Sequence, residues 1–255
     1  MGLLDWFQRD KPTTIPEDLW QATVAGLPFL ANLAADEKAE LRALAEGLLA
    51  EKEFTTGGGL ELTDTMCVSI AAQGCLPILK LGLEAYRGWV GIIVYPDEFV
   101  IPRSIQDEFG VVHEYDEPAS GEAWAGGPLI VSWRDAQMAG DGYNVVIHEF
   151  AHKLDMLNGE ADGMPALHSG LRRDDWERVL LAAYEDFCQR VDDGEDTWID
   201  PYAAEHPAEF FAVLSESFFE MPDIVAGEYP ELYELMRRYY RQDPLERWPE
   251  ARLPG

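Results

Sequence analysis

The chain has 255 residues, of which 47% are hydrophobic and 26% charged, the usual balance of a protein that folds around a core. Forty-eight acidic residues against 19 basic ones give a formal charge of −29, which disfavours direct binding to nucleic acid or to anionic membranes. No apolar run is long enough to span a bilayer, and the N-terminal ten residues lack the pattern of a secretory signal. Three cysteines without a CxxC pair predict free thiols, so we expect a cytoplasmic protein.

The first part of the chain predicts helices joined by polar breaks. Residues 1–31 contain three prolines and predict an extended or short-helical lead-in. Leucines and alanines recur at helical spacing from Asp36 onwards, until a Thr- and Gly-rich break at 55–59. Thr63 could cap a second, mostly apolar helix that runs to about Cys75.

Two strands and a helical half are expected after that point. The segments 89–95 and 128–133 read as strands because they are short, apolar and bounded by proline or glycine. Helical periodicity then returns in four segments, near 143–157, 171–190, 208–220 and 229–241. The fold class is therefore α+β, mostly helical with a small sheet. We expect residues 1–60 to form a lead-in and helix packed on a catalytic domain of residues 61–255, in one compact unit.

A match to the HExxH motif, His148 to His152, lies in the first of the C-terminal helices. Because four residues turn a helix by about 400°, both imidazoles project from one face within reach of one ion. Glu149 lies beside them, where its carboxylate could take a proton from a metal-bound water. The alternative is a solvated face that carries two histidines by chance, but apolar residues on the opposite face of this helix favour a zinc site.

The motif alone leaves the third metal ligand open. The position ten residues after the first histidine is Asn158, so a third histidine is absent there. Asp155 lies one turn after His152 and could ligate the metal or support a ligand. His168 and His206 are remote in the sequence and lie in predicted turns, where a surface role is the simpler interpretation.

The strongest candidate for the third ligand lies in the helix that begins at Pro207. Glu209 and Glu216 are seven residues apart on one face of this helix, with the small Ala212 between them. Phenylalanine and leucine form the other side. Carboxylates on a helix this apolar are expected to point inward rather than into solvent.

Two blocks of sequence resemble a known family. The segment His-Glu-Phe-Ala-His-Lys-Leu-Asp-Met-Leu-Asn-Gly (148–159) and the segment Pro-Ala-Glu-Phe-Phe-Ala-Val-Leu-Ser-Glu (207–216) are similar to the Mlc titration factor A family. This resemblance implies a zincin-like bacterial zinc metallopeptidase, whose catalytic core is similar to that of anthrax lethal factor. The match to two separate blocks argues against an accidental HExxH motif.

The resemblance also implies roles for particular residues. It implies that His148, His152 and Glu209 bind one Zn²⁺ per chain and that Glu149 is the general base. Lethal factor has a tyrosine seven residues before its ligand glutamate, and Tyr202 occupies that position here. A phenol at this place could stabilise the oxyanion or protonate the leaving amine, whereas the plainer interpretation is a packed loop aromatic.

The implied activity is that of an aminopeptidase that hydrolyses short peptides. Such an enzyme needs a group that holds the substrate's α-ammonium, and Glu216 or Asp155 could contribute. Either could instead orient a ligand histidine, cap a helix or pair with an arginine. The family also implies regulation of glucose-transport genes through binding of the repressor Mlc, whose basic DNA-binding region an acidic surface could engage. The alternative is a repressor-sequestering protein with minor catalytic activity.

Overall fold

The computed structural model describes residues 14–106 and 112–247, so the predictions for the first thirteen residues lie outside the described part. The helices, with their bounds, are α1 (Glu17–Ala25), α2 (Ala35–Glu51), α3 (Asp64–Cys75), α4 (Trp133–Ala136), α5 (Val145–Asp155), α6 (Arg173–Asp192), α7 (Pro207–Glu220), α8 (Pro222–Glu228) and α9 (Pro230–Tyr240). The strands are β1 (Glu53–Thr56), β2 (Gly91–Tyr95), β3 (Phe99–Gln106), β4 (Val112–Ala119), β5 (Gly121–Ala123) and β6 (Leu129–Ser132).

The predicted long helices are confirmed, each starting within two residues of the place that the periodicity indicates. The local signals at their starts also act as predicted. Thr63 caps α3, since its hydroxyl oxygen accepts a hydrogen bond of 3.3 Å from the backbone N–H of Met66. Pro207 occupies the first turn of α7, where its missing N–H leaves no hydrogen bond unmade.

Of the six strands in the described residues, β2 and β6 lie at the two predicted segments, and the other four were missed. The sequence predicts a break at Thr55 and Thr56, but both residues belong to β1. The strand was missed because its side chains are mostly polar and exposed. β3 contains Pro102 and β4 contains Pro118, and proline argues against a strand in sequence-based reasoning. These two strands form a separate antiparallel pair, in which proline is tolerated at an edge.

The larger sheet has four strands in the order β1-β2-β6-β5. β1, β2 and β6 run parallel, and β5 pairs antiparallel with β6, with Gly121 opposite Val131. All four residues of β6 are buried, as expected for a parallel strand that is covered on both faces. β5 is therefore an edge strand of this mixed sheet.

Three helices form the centre of the core and determine where the HExxH motif lies. The apolar side of α5, Val146, Phe150 and Leu154, is fully buried. Gly74 of α3 allows close packing there, because an added Cβ would lie 2.6 Å from the Phe150 ring. α7 also packs on α5, and its Phe211 is fully buried.

The fold is mostly helical with a small mixed sheet, as the α+β prediction states. Residues of α2 such as Leu41 and Leu48 belong to the same buried cluster as Phe150. The division near residue 60 stays a prediction. Among the described residues, no helix has the length and apolar character that crossing a membrane requires.

Candidate metal and catalytic site

The site is built on the first turns of α5, which enters the core from the loop before it. Asn144 caps this helix, because its Oδ1 accepts a hydrogen bond of 2.9 Å from the backbone N–H of Ile147. With the apolar side of α5 packed in the core, His148 and His152 project from the opposite side towards α7. The helix thus fixes both imidazoles on one polar face, as the motif spacing predicts.

His148, His152 and Glu209 come together in a triangle of potential ligand atoms. The Nε2 atoms of the two histidines are 3.1 Å apart, and Oε2 of Glu209 lies 3.0 Å and 3.3 Å from them. In a tetrahedral zinc site with bonds of about 2.0–2.1 Å, neighbouring ligand atoms are about 3.4 Å apart. The three side chains therefore form one face of a tetrahedron of nearly the size that zinc needs.

The protonation state of Glu209 favours the binding of a cation. Burial alone would raise the pKa of Glu209, but hydrogen bonds from His148 and His152 lower that pKa well below its usual range. The carboxylate is consequently ionised at neutral pH. A metal ion and the imidazole protons compete for the same three atoms.

Glu216 orients His148, and only 2% of it is exposed although it borders the cleft. Its Oε1 accepts a 2.7 Å hydrogen bond from Nδ1 of His148, and its other oxygen accepts the backbone N–H of Asn144. With a proton held on Nδ1, the proton that a metal ion would displace is the one on Nε2, whose lone pair would then point at the triangle. Both carboxylate oxygens of Glu216 are thereby engaged.

Glu149 is buried beside the triangle, with only 4% of its surface exposed. Burial raises its pKa to about 8, close to the range in which a carboxylate accepts and returns a proton at neutral pH. Its Oε2 has no hydrogen-bond partner among the described residues. The carboxyl group packs on the edge strand, where the absence of a side chain at Gly121 leaves room for it: a Cβ there would lie 2.3 Å from Oε1.

Tyr202 lies near His148, in a short 3-10 turn, Pro201–Ala204. Its ring centre is 6.2 Å from that of His148, and 45% of the residue is exposed. Asp200 holds the turn, since its Oδ1 accepts a 2.9 Å hydrogen bond from the backbone N–H of Tyr202. The phenol therefore stands at the edge of the site, within the open cleft.

The remaining sequence candidates lie outside the triangle. Asp155 is fully buried and accepts a 2.8 Å hydrogen bond from the backbone N–H of Gly163. Its Oδ1 and Nδ1 of His152 are buried atoms without hydrogen-bond partners among the described residues.

His206 caps α7 through Nδ1, and His168 contacts the backbone oxygen of Tyr239, so neither reaches the site.

A cleft of about 600 Å³ opens beside these groups. His148 and Glu149 line this cleft. Its walls also include residues from four other segments of the chain: 118–121, 141–145, 198–202 and the part of α7 that contains Val213 and Glu216. Trp198, which is 70% exposed, stands at its rim. A cleft of this volume can accommodate a ligand of the size of a short peptide.

Comparison with known proteins agrees with this geometry. The family described as glucose-regulated metallo-peptidase M90 matches residues 4–241, which is most of the chain. The chain belongs to the M90 metallopeptidase family.

Curated relatives of this M90 member carry the name Mlc titration factor A. The protein from Salmonella arizonae is 43% identical over 236 residues, which are 90% of this chain and 92% of the relative. The proteins from Salmonella choleraesuis and Salmonella typhi are 40% and 41% identical, and each match covers 96% of this chain and 94% of the relative. The family resemblance inferred from the two sequence blocks is confirmed.

Membership of the M90 family implies a metal cofactor, and the residues at the site fit one. Two imidazoles and one ionised carboxylate converge with their ligand atoms about 3 Å apart. The lone pairs of these atoms repel one another unless a cation or protons lie between them.

Three residues of the site were missed by sequence reasoning. Asn144 carries a local signal, because it directly precedes an apolar helical run and could have been recognised as a cap. Gly121 and Glu220 carry no such signal. Their importance arises from contacts with Glu149 and Asn144, which are distant in the sequence.

Proposed function

We propose that the protein is a zinc-dependent metallopeptidase in which His148, His152 and Glu209 hold one Zn²⁺. The observation that carries this proposal is the triangle of two Nε2 atoms and one carboxylate oxygen with sides of 3.0 to 3.3 Å. When bound, zinc polarises the scissile carbonyl and makes water more acidic. The buried hydrogen bond from His148 to Glu216 keeps the first ligand in the required orientation.

Glu149 and Tyr202 supply the groups that act on the peptide. Glu149 takes a proton from the attacking water and delivers it to the nitrogen of the leaving amine. Burial raises the pKa of its carboxyl group, which favours holding the proton between these two transfers. Tyr202, at the open edge of the site, donates a hydrogen bond to the oxyanion that develops on the scissile carbonyl.

The aminopeptidase activity requires a carboxylate that faces the substrate's α-ammonium. Glu216 and Asp155, the candidates from the sequence, are buried and already hydrogen-bonded within the protein. Asp141 and Asp200 line the cleft as Glu216 does, and both are exposed. We assign the recognition of a free N-terminus to this pair, which suits short peptides in a cleft of about 600 Å³.

The test compares Glu149→Gln with the wild type on short peptides that carry a free or an acetylated N-terminus. Gln preserves the shape of the side chain and removes the base, so we expect at least a hundredfold loss of kcat with zinc retained. The exposed Glu205 provides a control, and Glu205→Gln should be as active as the wild type. Equal cleavage of acetylated peptides would contradict the aminopeptidase assignment, and unchanged kcat in Glu149→Gln would contradict the metallopeptidase mechanism.

A second proposed function is binding of the transcriptional repressor Mlc, and through it regulation of glucose-transport genes, in the cytoplasm. It is supported by the name of the curated relatives and by the formal charge of −29, which suits a basic partner. The alternative form of this proposal is a repressor-sequestering protein in which catalysis is minor. Binding measured at low and high salt tests it, with Glu149→Gln expected to bind as the wild type does. Affinity that salt leaves unchanged would contradict an electrostatic interface.

A further inference from the structure

Glu220, the last residue of α7, is a fully buried carboxylate that the proposed reaction does not use. Its Oε2 accepts hydrogen bonds of 2.9 Å from the backbone N–H groups of Gly140 and Gly142. Its Oε1 accepts a 2.8 Å hydrogen bond from Nδ2 of Asn144. Three donors converge on this side chain, and an ionised carboxylate satisfies all three, because it accepts hydrogen bonds and donates none.

The contact with Glu220 determines which way the amide of Asn144 points. With Nδ2 directed at Glu220, Oδ1 faces the backbone N–H of Ile147 and caps α5. The reversed amide would place an oxygen against the carboxylate of Glu220 and an NH₂ group against the N–H of Ile147. Both contacts would be repulsive, so the carboxylate selects the capping orientation.

The same end of α7 also holds one wall of the cleft. Gly142 lines the cleft and has a positive φ of 91°, which favours glycine. Met221 packs against it so closely that a Cβ on Gly142 would lie 2.1 Å from the terminal methyl group of Met221. Glu220 binds the backbone on either side of Asp141, one of the two exposed carboxylates that line the cleft.

We propose that Glu220 is a positioning residue that sets the orientation of Asn144, and with it the start of the HExxH helix and the cleft wall at residues 140–142. One face of α7 then performs three tasks: Glu209 faces the metal triangle, Glu216 orients His148, and Glu220 fixes the loop from which α5 begins. The expected effect on peptide hydrolysis rests on the proposed function, whereas the structural effect does not.

A pair of substitutions tests this arrangement through complementary hydrogen bonding. In Glu220→Gln, the amide oxygen can face only one side, either the two glycine N–H groups or Nδ2 of Asn144. The NH₂ group of the glutamine then faces the donor on the other side, and two donors meet. Asn144 can relieve that conflict only by reversing its amide, which removes the cap from Ile147. Adding Asn144→Asp restores an acceptor on both sides and keeps the total charge unchanged, since one carboxylate is lost and another gained.

The direct measurement is hydrogen exchange of the backbone amides in the first turn of α5, above all that of Ile147. We expect Glu220→Gln to exchange at least about fivefold faster than the wild type, the factor that corresponds to a lost cap of about 1 kcal/mol. The double variant should return to within about twofold of the wild-type rate. The exposed Glu231 of α9 provides a control, and Glu231→Gln should leave the exchange unchanged.

Steady-state kinetics supply the second measurement. Because the metal triangle and Glu216 are retained, we expect one zinc per chain in Glu220→Gln, with a raised KM that the double variant restores. Wild-type exchange in Glu220→Gln, or failure of the double variant to restore a faster rate, would overturn the inference. If the single variant does not fold and the double variant does, that recovery supports it. A wild-type protein that cleaves no peptide would refute the proposed function, while the exchange rates would still decide this inference.

Discussion

Replacing Gly121 with alanine should disable Glu149 without disturbing the fold. The added methyl carbon would lie 2.3 Å from Oε1 of Glu149, whereas a carbon and an oxygen in contact are about 3.3 Å apart. The carboxyl group must therefore move by about 1 Å, and a misplacement of that size costs about a hundredfold in rate. A hundredfold loss corresponds to about 2.7 kcal/mol of transition-state stabilisation.

The assay is steady-state hydrolysis of a short peptide, measured together with zinc content and urea unfolding. We expect kcat of Gly121→Ala to fall about a hundredfold, with one zinc per chain and a free energy of unfolding within about 1 kcal/mol of wild type, since alanine in place of a strand glycine is intrinsically favourable. Gly47→Ala in α2 is the matched control. Its added methyl carbon would lie 2.4 Å from a side-chain carbon of Leu83, outside the cleft. A kcat for Gly121→Ala within threefold of wild type would refute the proposed position of the general base.

Three further substitutions test other contacts. Glu216→Gln removes the carboxylate that orients His148, so a competition titration should show zinc affinity reduced about 10- to 100-fold; unchanged affinity would contradict that role. Tyr202→Phe should lower kcat about a hundredfold with KM unchanged, and a change in KM alone would indicate substrate binding instead. Burial lowers the pKa of Lys153 from 10.5 to about 8, so the unfolded chain binds more protons between these values and stability rises with pH there. In urea unfolding, Lys153→Met should lack this rise, about 3 kcal/mol in size; an identical pH dependence in both proteins would contradict it.

Patterns local in the sequence predict the chemistry-bearing helices well. The spacing of His148 and His152 follows directly from the period of an α-helix, and the apolar residues between them indicate which side faces the core. Glu209 lies on another helix, where helical spacing made both Glu209 and Glu216 candidates and the resemblance to a family singled out Glu209. The structure brings its Oε2 to within 3.3 Å of both imidazoles.

What the sequence did not predict depends on contacts between distant segments. β5 has only three residues, too short for alternation to be visible, yet it carries the glycine against which Glu149 packs. Asn144 and Glu220 are 76 residues apart, and their hydrogen bond exists only because α7 packs on α5. Neither residue belongs to a motif, so no pattern within a single element identifies the pair.

The most direct test of the metal site is elemental analysis of protein purified without a metal-affinity tag. We predict about one zinc per chain in the wild type and in Glu205→Ala, an exposed neighbour of the site, and its loss in Glu209→Ala. A wild-type protein that contains no zinc and takes up none on titration would contradict the metallopeptidase account. So would a Glu209→Ala variant that retains zinc with wild-type affinity.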